Sequence, residues 1–225
     1  MTPDAPASDP STTCVLFDLD GTFADTARDL HQALNRVLAR HGKPDIDFET
    51  LRPSVSHGSK AMLKTGFGIE PEDPEFPGLQ TEFLDCYLER IAVLTRLFEG
   101  MPELLETLEQ RGVLWGIVTN KPSRLTDPLM RELGLARRAC IIVSGDTTPH
   151  AKPHPEPILH ACRVSGVDPA QTLYVGDAVR DIEAGRRAGT RTLAACFGYL
   201  SEDDNPQEWQ ADGLIDHPLE ILDWL

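Results

Sequence analysis

After Gly100 the chain alternates short apolar runs with amphipathic segments, and this rhythm restricts the fold more than any other feature. Val113-Leu114-Trp115-Gly116-Ile117-Val118, Cys140-Ile141-Ile142-Val143, Thr172-Leu173-Tyr174-Val175 and Thr192-Leu193-Ala194-Ala195 read as strands. Helical patterns separate them over 102–111, 122–133, 155–164 and 182–188, and a last helix is expected over 218–225. Continuous apolar strands suit a sheet covered on both faces, and right-handed strand–helix–strand crossovers make that sheet parallel. Cys14-Val15-Leu16-Phe17 is one more such run. The expected fold is α/β, a Rossmann-like doubly wound parallel sheet.

One segment interrupts the rhythm. Between 27 and 96 the spacing is helical throughout, with Leu30, Leu34, Val37 and Leu38 before a stop at Gly42, then Leu79, Phe83, Tyr87, Leu88 and Ile91. An irregular Pro/Gly-bearing stretch containing 54–60 lies between. This is a small α-helical subdomain inserted after the first strand. The expected division is therefore a core of 13–26 and 97–225, a helical insert of 27–96, and a Pro/Ser/Asp-rich disordered tail over 1–12.

Charge and composition remove several functions. A formal net charge of −15 over 225 residues leaves no basic surplus for nucleic acid or anionic membrane. No apolar run reaches the ~18 residues of a membrane span, and no secretory signal opens the chain, so a cytoplasmic address is expected. The five cysteines show no C-x-x-C spacing. A small anionic substrate remains compatible, because a cation and one or two lysines reverse the sign locally.

In doubly wound sheets ligands bind at the carboxyl ends of strands, and those ends carry a consistent set of residues here. Asp18 and Asp20 follow the first strand, Thr119 the second, Lys152 the loop after the third, and Asp177 the fourth. Residues two apart on extended chain point the same way, so Asp18 and Asp20 face one pocket while Leu19 turns inward. Two carboxylates as close as Asp18 and Asp20 repel unless a cation sits with them, and Asp18 and Asp177 can offer hard oxygen ligands to Mg²⁺. A carboxylate can attack phosphorus, and a second can serve as general acid and base. Thr119 and the Asn120 backbone N–H can meet a phosphate oxygen at the following helix start, and capping alone would also account for Thr119. Asp181, one helical turn after Asp177, can hold a metal-bound water or favour its helix dipole.

Asp18-Leu19-Asp20-Gly21-Thr22 with Asp25-Thr26 resembles the first motif of the haloacid dehalogenase superfamily. Val118-Thr119-Asn120 resembles its second motif, Lys152-Pro153 its third, and Gly176-Asp177 with Asp181 its fourth, in the expected order. The resemblance runs from Cys14 to the C-terminus, with the helical insert in the place of the family's cap. It implies a nucleophile at Asp18, an acid/base at Asp20, an essential cation at Lys152, and Mg²⁺ held by Asp18, Asp177 and the backbone carbonyl of Asp20. Dehalogenases of this superfamily lack the second aspartate, so Asp20 favours phosphoryl transfer.

The wording beyond the motifs narrows the resemblance. Leu97-Phe98-Glu99-Gly100-Met101-Pro102-Glu103 and Val118-Thr119-Asn120-Lys121-Pro122 resemble bacterial phosphoglycolate phosphatases. Phe98 to Leu105, Gly198-Tyr199, Asp204-Asn205-Pro206 and Trp209 resemble the branch acting on N-acetylmuramic acid 6-phosphate in peptidoglycan recycling. The expectation is a phosphomonoester hydrolase for a small metabolite, monomeric or homodimeric. The alternatives are 2-phosphoglycolate as substrate, a sugar phosphomutase of the same superfamily, and a non-enzymatic binding protein. His57, Gly58 and Lys60 are the candidates for substrate contact from the insert, against a solvated role for Lys60.

Overall fold

A computed structural model describes residues 11–225. The expected tail lies outside the described residues except for Ser11 and Thr12; Thr12 is buried, and its hydroxyl donates to the Trp224 carbonyl at 2.8 Å. The core is a six-stranded, wholly parallel sheet built from β1 (Cys14–Phe17), β4 (Leu114–Val118), β5 (Ile142–Val143), β6 (Thr172–Gly176), β7 (Arg191–Ala195) and β8 (Gly213–Ile215). Its order is β5-β4-β1-β6-β7-β8. All four residues of β1 and all five of β6 are buried, as uninterrupted apolar strands must be between two helical layers. Helices α5 (Met101–Gln110), α6 (Ser123–Glu132), α7 (Glu156–Ser165) and α8 (Val179–Ala188) make the connections. The order reverses across β1, which lies between β4 and β6, and a crevice opens beyond the carboxyl ends of these three strands.

Between β1 and α5 the chain forms α1 (Ala27–Arg40), α2 (Phe48–Leu51), α3 (Gly58–Phe67) and α4 (Phe76–Leu88). Leu30, Ala33, Leu34, Val37 and Leu38 bury one face of α1, and α1 packs chiefly on α4. The helices are rooted by a two-stranded antiparallel ribbon of β2 (Ala24–Asp25) and β3 (Arg96–Leu97). Buried Asp29 secures that root: its carboxylate accepts from the backbone N–H groups of Leu94 and Thr95 and from the Thr95 hydroxyl, at 2.8–3.1 Å. No helix among the described residues is long and apolar enough to cross a membrane.

Three details differ from the sequence reading. The segment expected as a final α-helix is a 3₁₀ helix, Pro218–Trp224. Strand β8 went unread because its three residues carry no periodicity, and β2 and β3, two residues each, are equally silent. The strand expected over 140–143 is confined to Ile142–Val143, although Cys140 N still donates to the Trp115 carbonyl.

Candidate active site

The site starts from the turn after β1. Asp18 N donates to the Val175 carbonyl at 2.9 Å, carrying the β1–β6 ladder one residue past the strand. Leu19 is fully buried, and its carbonyl accepts from Phe23 and Ala24, which closes the turn. Gly21 has φ +86°, and a Cβ there would stand 2.1 Å from Asp177 Oδ2. Only glycine satisfies both the left-handed backbone and that approach.

Asp18 is nearly inaccessible, and burial alone would raise its pKa and favour the neutral form. Lys152 and Arg180 outweigh burial and hold the carboxyl below the usual carboxylate range. Lys152 Nζ lies 2.8 Å from Asp18 Oδ1 and 2.7 Å from Asp181 Oδ1, with side chains only 1%, 4% and 0% exposed respectively. Its two remaining contacts are the Val118 carbonyl and the Tyr174 hydroxyl, both at 2.8 Å. Lys152 is thus wholly committed, far from an ordinary solvated lysine.

Asp18, Asp177 and Asp181 bring carboxylate oxygens within 4.8 Å of one another, all buried. Burial, followed by Asp18 and Asp181, pushes Asp177 up to about 7. Burial likewise raises Asp181, with Asp18 adding to it and Lys152 and Arg180 opposing. An all-oxygen donor set whose members destabilise one another's charge fits a hard divalent cation, which supplies the missing positive charge. Asp177 is further held by the Tyr199 backbone N–H at 3.0 Å and by the hydroxyl of Ser56, which arrives from the segment between α2 and α3.

Asp20 occupies a different place from this triad. Lys121 Nζ bonds both of its oxygens, at 2.9 and 3.2 Å, and the Thr26 hydroxyl donates to Oδ1. Asp25 approaches Ala27 N at 3.3 Å but accepts a shorter bond, 2.7 Å, from the Tyr199 hydroxyl. The Thr119 hydroxyl oxygen accepts from Lys121 N at 3.2 Å, which leaves its proton free to donate into the cleft. The Asn120 side chain braces the Lys152 loop through two bonds to the Lys152 main chain.

A cleft of about 330 Å³ joins these groups to the helical insert. Asp18, Asp20, Thr119, Asn120, Lys121 and Arg180 line its floor. His57, Gly58 and Lys60 lie on the opposite wall at the start of α3, with His57 and Lys60 exposed and Gly58 at φ +79°. The structure therefore gathers Asp18, Lys152, Asp177 and Asp181 into one ionic cluster, sets Asp20 beside it, and leaves His57 and Lys60 at the rim.

Three contributors escaped the sequence reading. Arg180 balances the acidic triad and donates to the Ser56 carbonyl. A basic residue in the first turn of a helix opposes the helix dipole, and that was an available signal. Lys121 adjoins a motif but has no distinguishing residue type. Ser56 is one of several serines in an irregular segment, and only the tertiary fold brings it to Asp177.

The profile of haloacid dehalogenase-like hydrolases matches residues 15–195. The N-acetylmuramic acid 6-phosphate phosphatase of Pseudomonas aeruginosa is 47% identical over 211 residues, covering 94% of this chain and 93% of that protein. A phosphoglycolate phosphatase of Xanthomonas campestris pv. campestris is 43% identical, covering 92% of this chain and 93% of that protein. The crystal structure of a predicted phosphoglycolate phosphatase from Haemophilus somnus matches with a TM-score of 0.83 at 26% identity, covering 94% of this chain and 97% of that one. The chain belongs to the haloacid dehalogenase-like hydrolase family, as one of its phosphatases.

Proposed function

We propose that this phosphatase hydrolyses N-acetylmuramic acid 6-phosphate through an aspartyl-phosphate on Asp18. The observation that carries the mechanism is an ionised Asp18 maintained against full burial by Lys152 at 2.8 Å. Asp18 attacks phosphorus as the P–O bond to the sugar breaks, and Asp20 gives its proton to the departing alkoxide. Asp20 then takes a proton from the water that attacks the aspartyl-phosphate, which releases inorganic phosphate, frees the Asp18 carboxylate and returns Asp20 to its protonated form. Thr119, the Asn120 backbone N–H and Lys152 hold the phosphoryl oxygens.

Asp18, Asp177 and the backbone carbonyl of Asp20 would hold Mg²⁺, with Asp181 supporting the set. When bound, the ion neutralises the phosphoryl group and aligns it with the nucleophile. Helices α1–α4 act as a cap that excludes bulk water from the aspartyl-phosphate.

For the substrate, support comes from the 47% identity to the Pseudomonas enzyme and from the size of the cleft. Beyond the phosphoryl site the cleft is lined by Leu30, Val55, Met62 and Leu84, more wall than a two-carbon acid can cover. The 43% identity to a phosphoglycolate phosphatase makes 2-phosphoglycolate the second reading. Phosphate release from both compounds, with Mg²⁺ and with chelator, tests the assignment. The expected result is a kcat/KM at least tenfold higher for the amino sugar, and no turnover in chelator. Preference for phosphoglycolate would establish the second reading. Return of phosphate to a sugar hydroxyl, dependent on a bisphosphate primer, would make the enzyme a mutase.

A further inference from the structure

Two lysines serve the two aspartates of the first motif, and they do not share the work. Lys152 has all its contacts on the Asp18 side. The Lys121 ammonium grips both Asp20 carboxylate oxygens, at 2.9 and 3.2 Å, with its side chain 6% exposed. Its ammonium also sits 4.5 Å over the ring of Tyr87, near the end of α4. The Tyr87 hydroxyl is buried with no hydrogen-bond partner among the described residues, and the face of its ring is what Tyr87 presents to the ammonium. Lys121 is therefore held from two directions, by Asp20 on the sheet side and by an aromatic face on the insert side.

We propose that Lys121 is the positioning residue for Asp20, holding that carboxyl toward the leaving oxygen and tying its placement to the seating of α4. The inference rests on Asp20 being the acid/base of the reaction. The geometry favours it over direct phosphate binding by Lys121. A carboxylate side chain has two rotatable bonds, and the Thr26 hydroxyl reaches only Oδ1; the second contact that fixes the carboxyl plane comes from Lys121. Displacement of a proton donor by about 1 Å suffices for large rate losses. Because Tyr87 belongs to the insert, a cap that is not seated removes one of the two supports under the ammonium.

The test compares wild type, Lys121→Met, Lys121→Arg, Tyr87→Leu, Asp20→Asn and the Lys121→Met/Asp20→Asn double variant, all with saturating Mg²⁺. Steady-state turnover of a sugar 6-phosphate needs a proton for the poor leaving group. Single-turnover release of nitrophenolate from p-nitrophenyl phosphate does not. Lys121→Met should lower sugar-phosphate kcat by about 10- to 100-fold, part of the ~10²- to 10⁴-fold a general acid supplies. KM and the nitrophenolate rate should each stay within about threefold. Lys121→Arg should recover most of the loss, and Tyr87→Leu should reproduce its pattern at smaller size. The double variant should be no slower than Asp20→Asn alone, since the two residues act as one unit.

Equal loss on both substrates, a rise in KM alone, or additive losses in the double variant would overturn the assignment. If Lys121→Met does not fold, the same comparison on Lys121→Gln and Tyr87→Leu decides it. Collapse of Asp20→Asn beside an unaffected Lys121→Met would sink this inference and leave the acid/base reading standing. Full sugar-phosphate turnover by Asp20→Asn would sink both.

Discussion

The Asn120 side chain pairs with the main chain of Lys152 as a neighbouring strand would: Oδ1 accepts from Lys152 N and Nδ2 donates to the Lys152 carbonyl, each at 2.9 Å. One amide thus fixes the backbone that launches the most committed cation of the site. Asn120→Ala removes both bonds and should cost about 1–3 kcal/mol of stability. It should also lower kcat, because Lys152 loses its register against Asp18. Urea unfolding and steady-state kinetics check both effects; a variant with full kcat would show that the ion pairs alone hold the lysine.

The ionic cluster predicts different losses for its two ends. Asp18→Asn removes the proposed nucleophile and should leave less than about a thousandth of wild-type turnover in a folded protein. Lys152→Ala leaves the Asp18 and Asp181 carboxylates buried without their shared partner, so destabilisation of about 3–5 kcal/mol is expected alongside the loss of turnover. In whatever fraction remains folded, kcat should fall more than KM rises, since the charge matters most as the phosphoryl group transfers. A changed KM with unchanged kcat would restrict Lys152 to substrate binding.

Asp177 makes the stability of the metal-free protein depend on pH in a defined sense. Its carboxyl is raised from an ordinary 3.8 to about 7 by burial and by Asp18 and Asp181. Between those values the native state holds a proton that the unfolded state has released, so stability from this group is complete at low pH and is lost as pH rises. In chelator, wild type should therefore lose stability relative to Asp177→Asn, by up to about 1.4 kcal/mol per pH unit, and the difference should level off above about 7. Excess Mg²⁺ should stabilise wild type near neutral pH and do much less for the variant. Denaturant midpoints of both proteins across that range, in EDTA and in Mg²⁺, make the measurement. A difference that does not change with pH in chelator would mean Asp177 stays ionised throughout.

What could be read beforehand followed from how each residue's signal is encoded. The parallel core was legible because buried strands such as β1 and β6 write continuous apolar runs, and the crevice follows from strand order. Asp18, Asp20, Thr119 and Asp177 were legible because each closely follows such a run, and Lys152 because it lies in the loop after one. Ser56 and Lys121 were not, since their roles come from partners 121 and 101 residues away, and no local pattern announces a contact of that span. Asn120 was legible only in part: its position was marked, but its side chain serves Lys152. The ribbon of β2 and β3 was invisible because two residues cannot display a period, although the buried Asp29 that secures it stood in an otherwise regular helix face.

Discrimination between substrates must come from the wall opposite the phosphoryl site. Asp18 and Thr119 line the floor of the cleft, whereas His57 and Lys60 stand exposed at the start of α3, on the far side of the cleft. Both proposed substrates carry a carboxylate in addition to phosphate, and in a protein of net charge −15 a carboxylate needs a local cation or donor to be held. Lys60 and His57 supply one each, and neither makes an ion pair with an acidic residue among the described residues. Replacing either with Ala should lower kcat/KM on the carboxylate-bearing substrate by about ten- to a hundredfold, the worth of a charged hydrogen bond of about 1.5–3 kcal/mol. Hydrolysis of an aryl phosphate, which makes no use of that wall, should change by less than about threefold. The two substrates are measured on the same enzyme preparation, so that loss of folded protein cancels in the ratio. A ratio unchanged from wild type would place the carboxylate contact elsewhere and leave His57 and Lys60 as solvated residues of the α3 terminus.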